Sequence, residues 1–211
     1  MKKKYILGLL ITLICTSCSQ HEFVPQNGDL LFCVAESSEM SKAIVDATKK
    51  QDDLQYDHVA IFATIGGKAS VIEASPQKGV ICRNWKDFLS DASKHNHHSG
   101  IVVMRIKQKT NIPEIINRAK EFLGQPYDWS YLPNNQKNYC SELIYESYLD
   151  EKGKHFFSAN PMNFKDAEGN IPQFWIDLFE QLGEPIPEGI QGTNPNDMSK
   201  ETILEEVHRY F

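Results

Sequence analysis

Three side chains of this sequence stand where they could carry nucleophilic chemistry on a carbonyl: Cys140 in "NYCSELIYESYL", His58 in "YDHVAIF" and Glu73 in "VIEAS". A thiol attacks as its thiolate, which needs a neighbouring imidazole, a helix N-terminus, or both to hold the charge. Cys140 follows Asn138 and Tyr139 and opens a run in which Leu143, Ile144 and Tyr148 form a packing face. The spacing predicts a helix beginning near Tyr139 with Cys140 in its first turn. There the helix dipole favours the thiolate, and free backbone N–H groups could receive an oxyanion. Position alone equally allows a buried structural cysteine.

Histidine is the expected base, and of the seven in the chain His58 alone opens an apolar strand, where it would be held rigidly at a sheet end. A satisfied structural histidine is the other reading of that position. His95, His97 and His98 fall in the polar stretch "DASKHNHHSG", which reads as solvated loop, without acidic or cysteine partners fixed on helices or strands to make a metal site. His21 sits near the N-terminus, and His155 and His208 sit in polar surroundings that predict exposure. Glu73 is an acid inside an apolar strand, costly there unless partnered. Gly66-Gly67 predicts a hairpin across which positions 58 and 73 approximately pair, and a carboxylate so placed would fix the tautomer and orientation of the imidazole. Ser141 is an alternative nucleophile with less to support it. No metal and no organic cofactor is expected.

The elements that must position these residues read as α+β. Strands are expected at "DLLFCV" (29–34), "YDHVAIFATI", "ASVIEAS", "GVICRNW" and "GIVVMRIK", with a helix over 38–50 and a short one over 85–92. A helix entered through Asn111 and Pro113 runs to about Leu123, stopped by Gly124. After the cysteine helix come an aromatic helix, "IPQFWIDLFEQLG", and a tail with one final short element. The result is a small antiparallel sheet with helices before and after it.

A length of 211 residues fits one domain. A net charge of −6 gives no electrostatic footprint for a phosphate backbone, so nucleic acid is excluded as a partner. Residues 1–18 read as a secretory signal: Lys2, Lys3 and Lys4, an apolar run too short to span a bilayer, then small residues ending at Ser17-Cys18. Residues 19–27 read as a tether and 28–211 as the single domain. Cys33 and Cys82 lie in apolar strand-like runs that predict buried thiols.

Two resemblances add to this reading. "CTSC" at residues 15–18 is similar to a bacterial lipobox, with Cys15 where a leucine is usual, which implies that Cys18 is acylated and anchors an exported lipoprotein in the cell envelope. "YDHVAIF", "VIEAS", "LGQPYDW" and "NYCSELIYESY", in that order, resemble the NlpC/p60-type papain-like cysteine hydrolases in their circularly permuted form, the YiiX/YaeF/YebB-like group. The resemblance covers residues 28 to 150 best. It implies a papain-like fold with the cysteine helix packed on the sheet, Cys140 as nucleophile, His58 as base and Glu73 as orienting residue. It also implies that Tyr127, from the family's Pro-Tyr motif, shapes the oxyanion site or cleft. The expected activity is hydrolysis or transfer at amide or ester bonds through an acyl-enzyme, on cell-wall peptides or lipid-linked acyl groups. For the latter, Phe156, Phe157, Phe164, Phe174, Trp175 and Phe179 could line an acyl pocket, or simply pack a peripheral helix. A non-catalytic binding module or a structural lipoprotein of the same fold is the alternative.

Overall fold

The computed structural model describes residues 23–48 and 54–211. The signal-like segment, Cys18, His21 and the first four residues of the tether (19–22) lie outside the described residues.

Alternation of apolar side chains builds the sheet. Strand β1 (Leu30–Val34) reads LLFCV and is buried at every position, as a strand covered on both faces must be. Leu30, Phe32 and Val34 point into one apolar layer, Leu31 and Cys33 into the other. Strands β2 (Tyr56–Ile65) and β3 (Lys68–Ser75) form the expected hairpin, with Gly66 and Gly67 at φ +57° and +75°. A two-residue turn of this kind needs two positive φ angles, which glycine adopts without a Cβ clash. Strands β4 (Gly79–Asn84), β5 (Ile101–Ile106) and β6 (Leu204–Arg209) complete a sheet ordered β6-β5-β1-β2-β3-β4, with every neighbouring pair antiparallel.

Among the described residues, five longer helices and one short helix surround it: α1 (Glu39–Thr48), α2 (Trp85–Asp91), α3 (Ile112–Glu121), α4 (Cys140–Ser147), α5 (Gln173–Leu182) and α6 (Pro195–Ser199). The main core forms where Ile115 of α3 and Leu143 and Ile144 of α4 meet Phe32, Val59, Ile61 and Ile72. On the opposite face, Trp85 and Phe88 of α2 cover Leu31, Ala60, Phe62 and Val71. A buried pair ties the N-terminal approach to the sheet: Arg105 Nε and Nη2 donate to Asp29 at 2.6 and 2.7 Å, with Asp29 fully enclosed.

The structure corrects several expectations. The final short element is a sixth strand, β6, which pairs with β5 across a register slip between Glu206 and His208. Cys82 is exposed, because β4 is an edge strand with one side toward solvent. The histidine-rich loop is a tight two-residue hairpin (Lys94–His95 with His98–Ser99) turned by Asn96 and His97 at φ +50° and +69°. His155 and His208 are half-buried: the His155 ring stacks on Tyr145 at 3.7 Å and bonds the Tyr145 carbonyl, and His208 stacks on Phe23 at 4.1 Å.

Candidate active site

Strand β2 carries the histidine at an irregularity. Its register with β1 runs evenly to Cys33↔His58 and then slips, so that Val34 faces Tyr56 and Asp57 is the extra residue of a β-bulge. Such bulges re-aim side chains at a sheet end. His58 Nε2 meets Glu73 Oε2 at 2.7 Å. In the register set by Ile61↔Ile72, the residue opposite Glu73 is Ala60, so His58 meets the carboxylate as a diagonal neighbour on the same face. Arg83 on β4 reaches the same carboxylate from the other side, Nη1 to Oε1 at 3.4 Å, and its Nη2 also pairs with Asp91. Glu73 is thus held between two cationic groups, which is the partnership its burial demands.

Cys140 is the first residue of α4, and the Leu143 N–H is the first to be taken up, by the Tyr139 carbonyl. The N–H groups of Cys140 and Ser141 precede it and have no intrahelical partner. The Cys140 side chain is near enough to the His58 ring to raise its affinity for a proton. With Nε2 committed to Glu73, Nδ1 is the nitrogen left for the sulfur. Burial disfavours the imidazolium, but the bonds to Cys140 and Glu73 outweigh it and hold His58 well above its ordinary value. Burial likewise opposes the Glu73 carboxylate, and His58 with Arg83 reverses that, drawing its value down. Glu73 carboxylate and His58 imidazolium are therefore the favoured pair. Cys33, the cross-strand partner of His58, is pushed the other way, by burial first and then by Asp57, Glu73 and Cys140, and stays a neutral thiol. Of the two sulfurs beside the imidazole, Cys140 is the one on a helix N-terminus.

Tyr127 reaches the site through the backbone. Its segment runs parallel to the residues leading into α4, with Tyr127↔Asn138 bridged, Asp128 N to the Asn138 carbonyl at 3.2 Å and Asn138 N to the Pro126 carbonyl at 3.3 Å. Gly79 locks this segment to the sheet: at φ +70°, an added Cβ would fall 2.2 Å from the Gln125 carbonyl oxygen. Burial, then Tyr131 and Cys140, push the Tyr127 phenol well up, so it is a hydrogen-bond donor.

Glu142 was not singled out in the sequence, although an acid at the third position of a helix is a local signal. It accepts from the Tyr139 N–H at 3.4 Å, and burial, then Asp128, push its carboxyl up to about 8. Near neutral pH it is mostly protonated, so its own carboxyl does not offset the positive end of α4 beside Cys140.

Two cavities meet at these residues and share Ile44, Asp57 and Tyr127. The first, about 260 Å³, is polar and lies on the His58 side, with Glu36, Asp57, Glu73, Arg83 and Asp91 in its wall. The second, about 60 Å³, lies on the Cys140 side and is walled by Tyr127, Tyr131, Tyr139, Phe164 and Trp175. Of the aromatic residues expected as an acyl pocket or as packing, Phe164 and Trp175 line this small cavity, and Phe157 and Phe179 belong to the core. The tail after α5 closes it: Thr193 N donates to the Tyr139 hydroxyl at 3.1 Å, and Asn196 joins the Tyr56 N–H to the Thr48 hydroxyl, each at 2.7 Å. Arg83, the bulge at Asp57 and these tail contacts have no local sequence signal. Among the described residues, no group of three or more His, Cys, Asp or Glu converges as a metal site.

The chain is similar to known proteins over most of its length. Residues 24–208 match the model of a family described as permuted papain-like amidase enzymes, YaeF/YiiX, the C92 family. The uncharacterized protein YiiX of Escherichia coli (strain K12) is 28% identical over 183 residues, which span 85% of this chain and 84% of that protein. A crystal structure described as that of the metalloprotein yiiX from Escherichia coli O157:H7 superposes with a TM-score of 0.71 at 26% identity, covering 89% of this chain and 98% of the other.

Proposed function

The chain belongs to the permuted papain-like amidase family, a family of cysteine hydrolases, and on that premise we propose that Cys140, His58 and Glu73 are its catalytic residues, acting through an acyl-enzyme on amide or ester bonds of cell-envelope molecules. The observation that carries this reading is the 2.7 Å contact of Glu73 with His58, on the wall of one cavity, and the electrostatic coupling of that ring to Cys140, on the wall of the adjoining one. The Cys140 thiolate attacks the carbonyl carbon. The developing oxyanion is received by the free N–H groups at the start of α4 and by the Tyr127 hydroxyl. His58 passes its proton to the leaving group, which departs into the polar cavity. His58, now neutral, takes a proton from water, which attacks the thioester, expels the Cys140 thiolate and releases the acid, so that the thiolate and the imidazolium are both restored. Glu73 holds the ring in position and stabilises the imidazolium in both halves.

The leaving group occupies the larger and polar cavity, which favours a peptide-like amine, and cell-wall peptide amides are the substrate class this supports. A lipid-linked acyl group is the second reading, favoured by the aromatic wall beside Cys140. That cavity holds only about four water molecules, or roughly four to five heavy atoms, so a long chain would have to continue outside it. The envelope address and the anchor at Cys18 belong to the same proposal and rest on the N-terminal sequence. The solved relative is described as a metalloprotein, but the described residues of this chain do not assemble a ligand set, and no step is routed through a metal.

Cys140→Ala tests the reading. With p-nitrophenyl acetate, the native protein is expected to release a burst of nitrophenol and gain an acetyl mass on Cys140, and the variant to do neither. A burst of undiminished size in Cys140→Ala would overturn it and transfer the role to another nucleophile such as Ser141.

A further inference from the structure

We propose that the small cavity beside Cys140 is a specificity subsite for the acyl half of the substrate, taking a compact, uncharged group that carries a hydrogen-bond acceptor such as a keto or amide oxygen. This rests on the acyl-enzyme reading above and adds to it a substrate feature.

The argument begins with buried polar atoms that lack partners. The indole Nε1 of Trp175, Oγ of Ser141, Oγ1 of Thr193 and the hydroxyl of Tyr131 are enclosed and make no well-formed hydrogen bond. Tyr131 has the Tyr127 hydroxyl nearby and Thr193 the Tyr139 hydroxyl, each without ordinary bonding geometry. All four residues are more than nine-tenths buried, at 3%, 0%, 8% and 8% exposure, and all four line this one cavity. Burying a polar group unpaired costs free energy, so native proteins leave few, and each asks for a reason. Four in the wall of one cavity beside a nucleophile have a common one: they are paired when a bound ligand draws them toward it.

Their chemistry selects the ligand. An indole N–H can only donate, and the three hydroxyls can all donate, so the matching group presents acceptor lone pairs. The lining contains no Lys or Arg, and Asp57 stands at its edge, so a carboxylate would enter without a counter-charge. A neutral carbonyl satisfies both conditions, and the volume of about 60 Å³ keeps the group short.

The cavity is also built at a cost, as binding sites are. Tyr131 is held at φ +53°, a left-handed conformation that a bulky residue rarely adopts. Gly192 lets the tail approach: a Cβ there would fall 2.1 Å from the Met162 sulfur and 3.0 Å from the Tyr139 hydroxyl. The polar atoms come from the loop after Asp128, from α4, from α5 and from the segment before α6, so the full tertiary structure is needed to assemble them.

Matched acyl probes test this. The full-length protein in detergent is acylated with p-nitrophenyl levulinate, which carries a keto group, with p-nitrophenyl pentanoate, its apolar counterpart, and with the p-nitrophenyl monoester of succinic acid, its charged counterpart. Each rate is divided by the rate with a free thiol at the same pH. The levulinyl group is expected to transfer about tenfold faster than the pentanoyl group, the worth of one or two hydrogen bonds, and the charged ester more slowly than both. Thr193→Val and Trp175→Phe are each expected to reduce the levulinyl preference at least about threefold. Thr193→Val is close to isosteric, so it carries the test if the tryptophan variant does not fold. Equal native rates for levulinyl and pentanoyl esters, or a preference untouched by both variants, would overturn the subsite. If no ester acylates Cys140, the acyl-enzyme reading itself fails, an outcome distinct from equal acylation by all.

Discussion

Replacing Glu73 by Gln keeps the shape and one acceptor oxygen but removes the charge that faces His58 Nε2 at 2.7 Å. The Glu73 side chain is only 7% exposed, so solvent screens the pair weakly. At that separation and an effective dielectric of 20, the gross attraction is about 6 kcal/mol, most of it offset by the desolvation of both groups. The net worth of a hydrogen bond to a charged partner is about 1.5–3 kcal/mol, so the second-order rate of Cys140 acylation should fall roughly tenfold to a hundredfold.

The pH dependence separates this from a general loss of packing. His58 is raised well above its ordinary value by Cys140 and Glu73 against the pull of burial, so the native rate declines on the alkaline side only as pH rises through that raised value. Without the carboxylate, the alkaline limb must move to lower pH. For His58 the stability linkage has the same sign, and for Glu73 the opposite one. What the His58 imidazolium contributes is fully present below the ordinary histidine value and lost as pH rises through the folded one. The Glu73 contribution is present above the ordinary carboxylate value and lost as pH falls through its lowered one. Burst kinetics with p-nitrophenyl acetate across the pH range read both the rate and the limb. A Glu73→Gln protein with native rate and an unmoved alkaline limb would refute the reasoning, since Glu73 would then contribute nothing to the imidazolium.

Other perturbations probe what supports the site. Glu142 is raised from 4.5 to about 8 by burial and Asp128, so the folded state holds its proton more tightly than the unfolded chain does. That advantage is complete below pH 4.5 and is lost as pH rises toward and through 8; urea melts should therefore show Glu142→Gln stabilising the protein at alkaline pH and changing little in acid. Arg105→Met leaves the Asp29 carboxylate enclosed without its bidentate partner and should cost about 2–4 kcal/mol, with Asp29→Asn in the same chain restoring part of the loss in a double-mutant cycle. Gly79→Ala drives a Cβ to 2.2 Å from the Gln125 carbonyl at a positive φ and should lower Tm by roughly 5–15 °C, read by a thermal melt.

Much of this site is legible in the sequence because its signals are local. Gly66-Gly67 fixes a hairpin, alternation fixes which strand residues are buried, and Cys140 stands where a polar loop turns into an apolar helical run. Those features locate His58, Glu73 and Cys140 and predict an α+β sheet. The diagonal contact of His58 with Glu73, in place of direct pairing, depends on a register that the turn alone does not set. The bulge at Asp57 arises from how β2 meets β1, and the second cation on Glu73 arrives from β4, a strand that reads only as an apolar run. The edge position that exposes Cys82 is equally invisible, because strand order is not written in strand composition. The C-terminal segment shows this most fully: "GTNPNDMSK" and the residues after it give a short helix and a strand, but nothing local says that Thr193 and Asn196 return to close the cavity beside Cys140. The sequence by itself determined the candidate residues and most of the elements that carry them, through periodicity and turn chemistry acting over a few residues. Only the tertiary structure decided which of them meet, because that depends on strand order, register and the burial of polar groups between segments far apart in the chain.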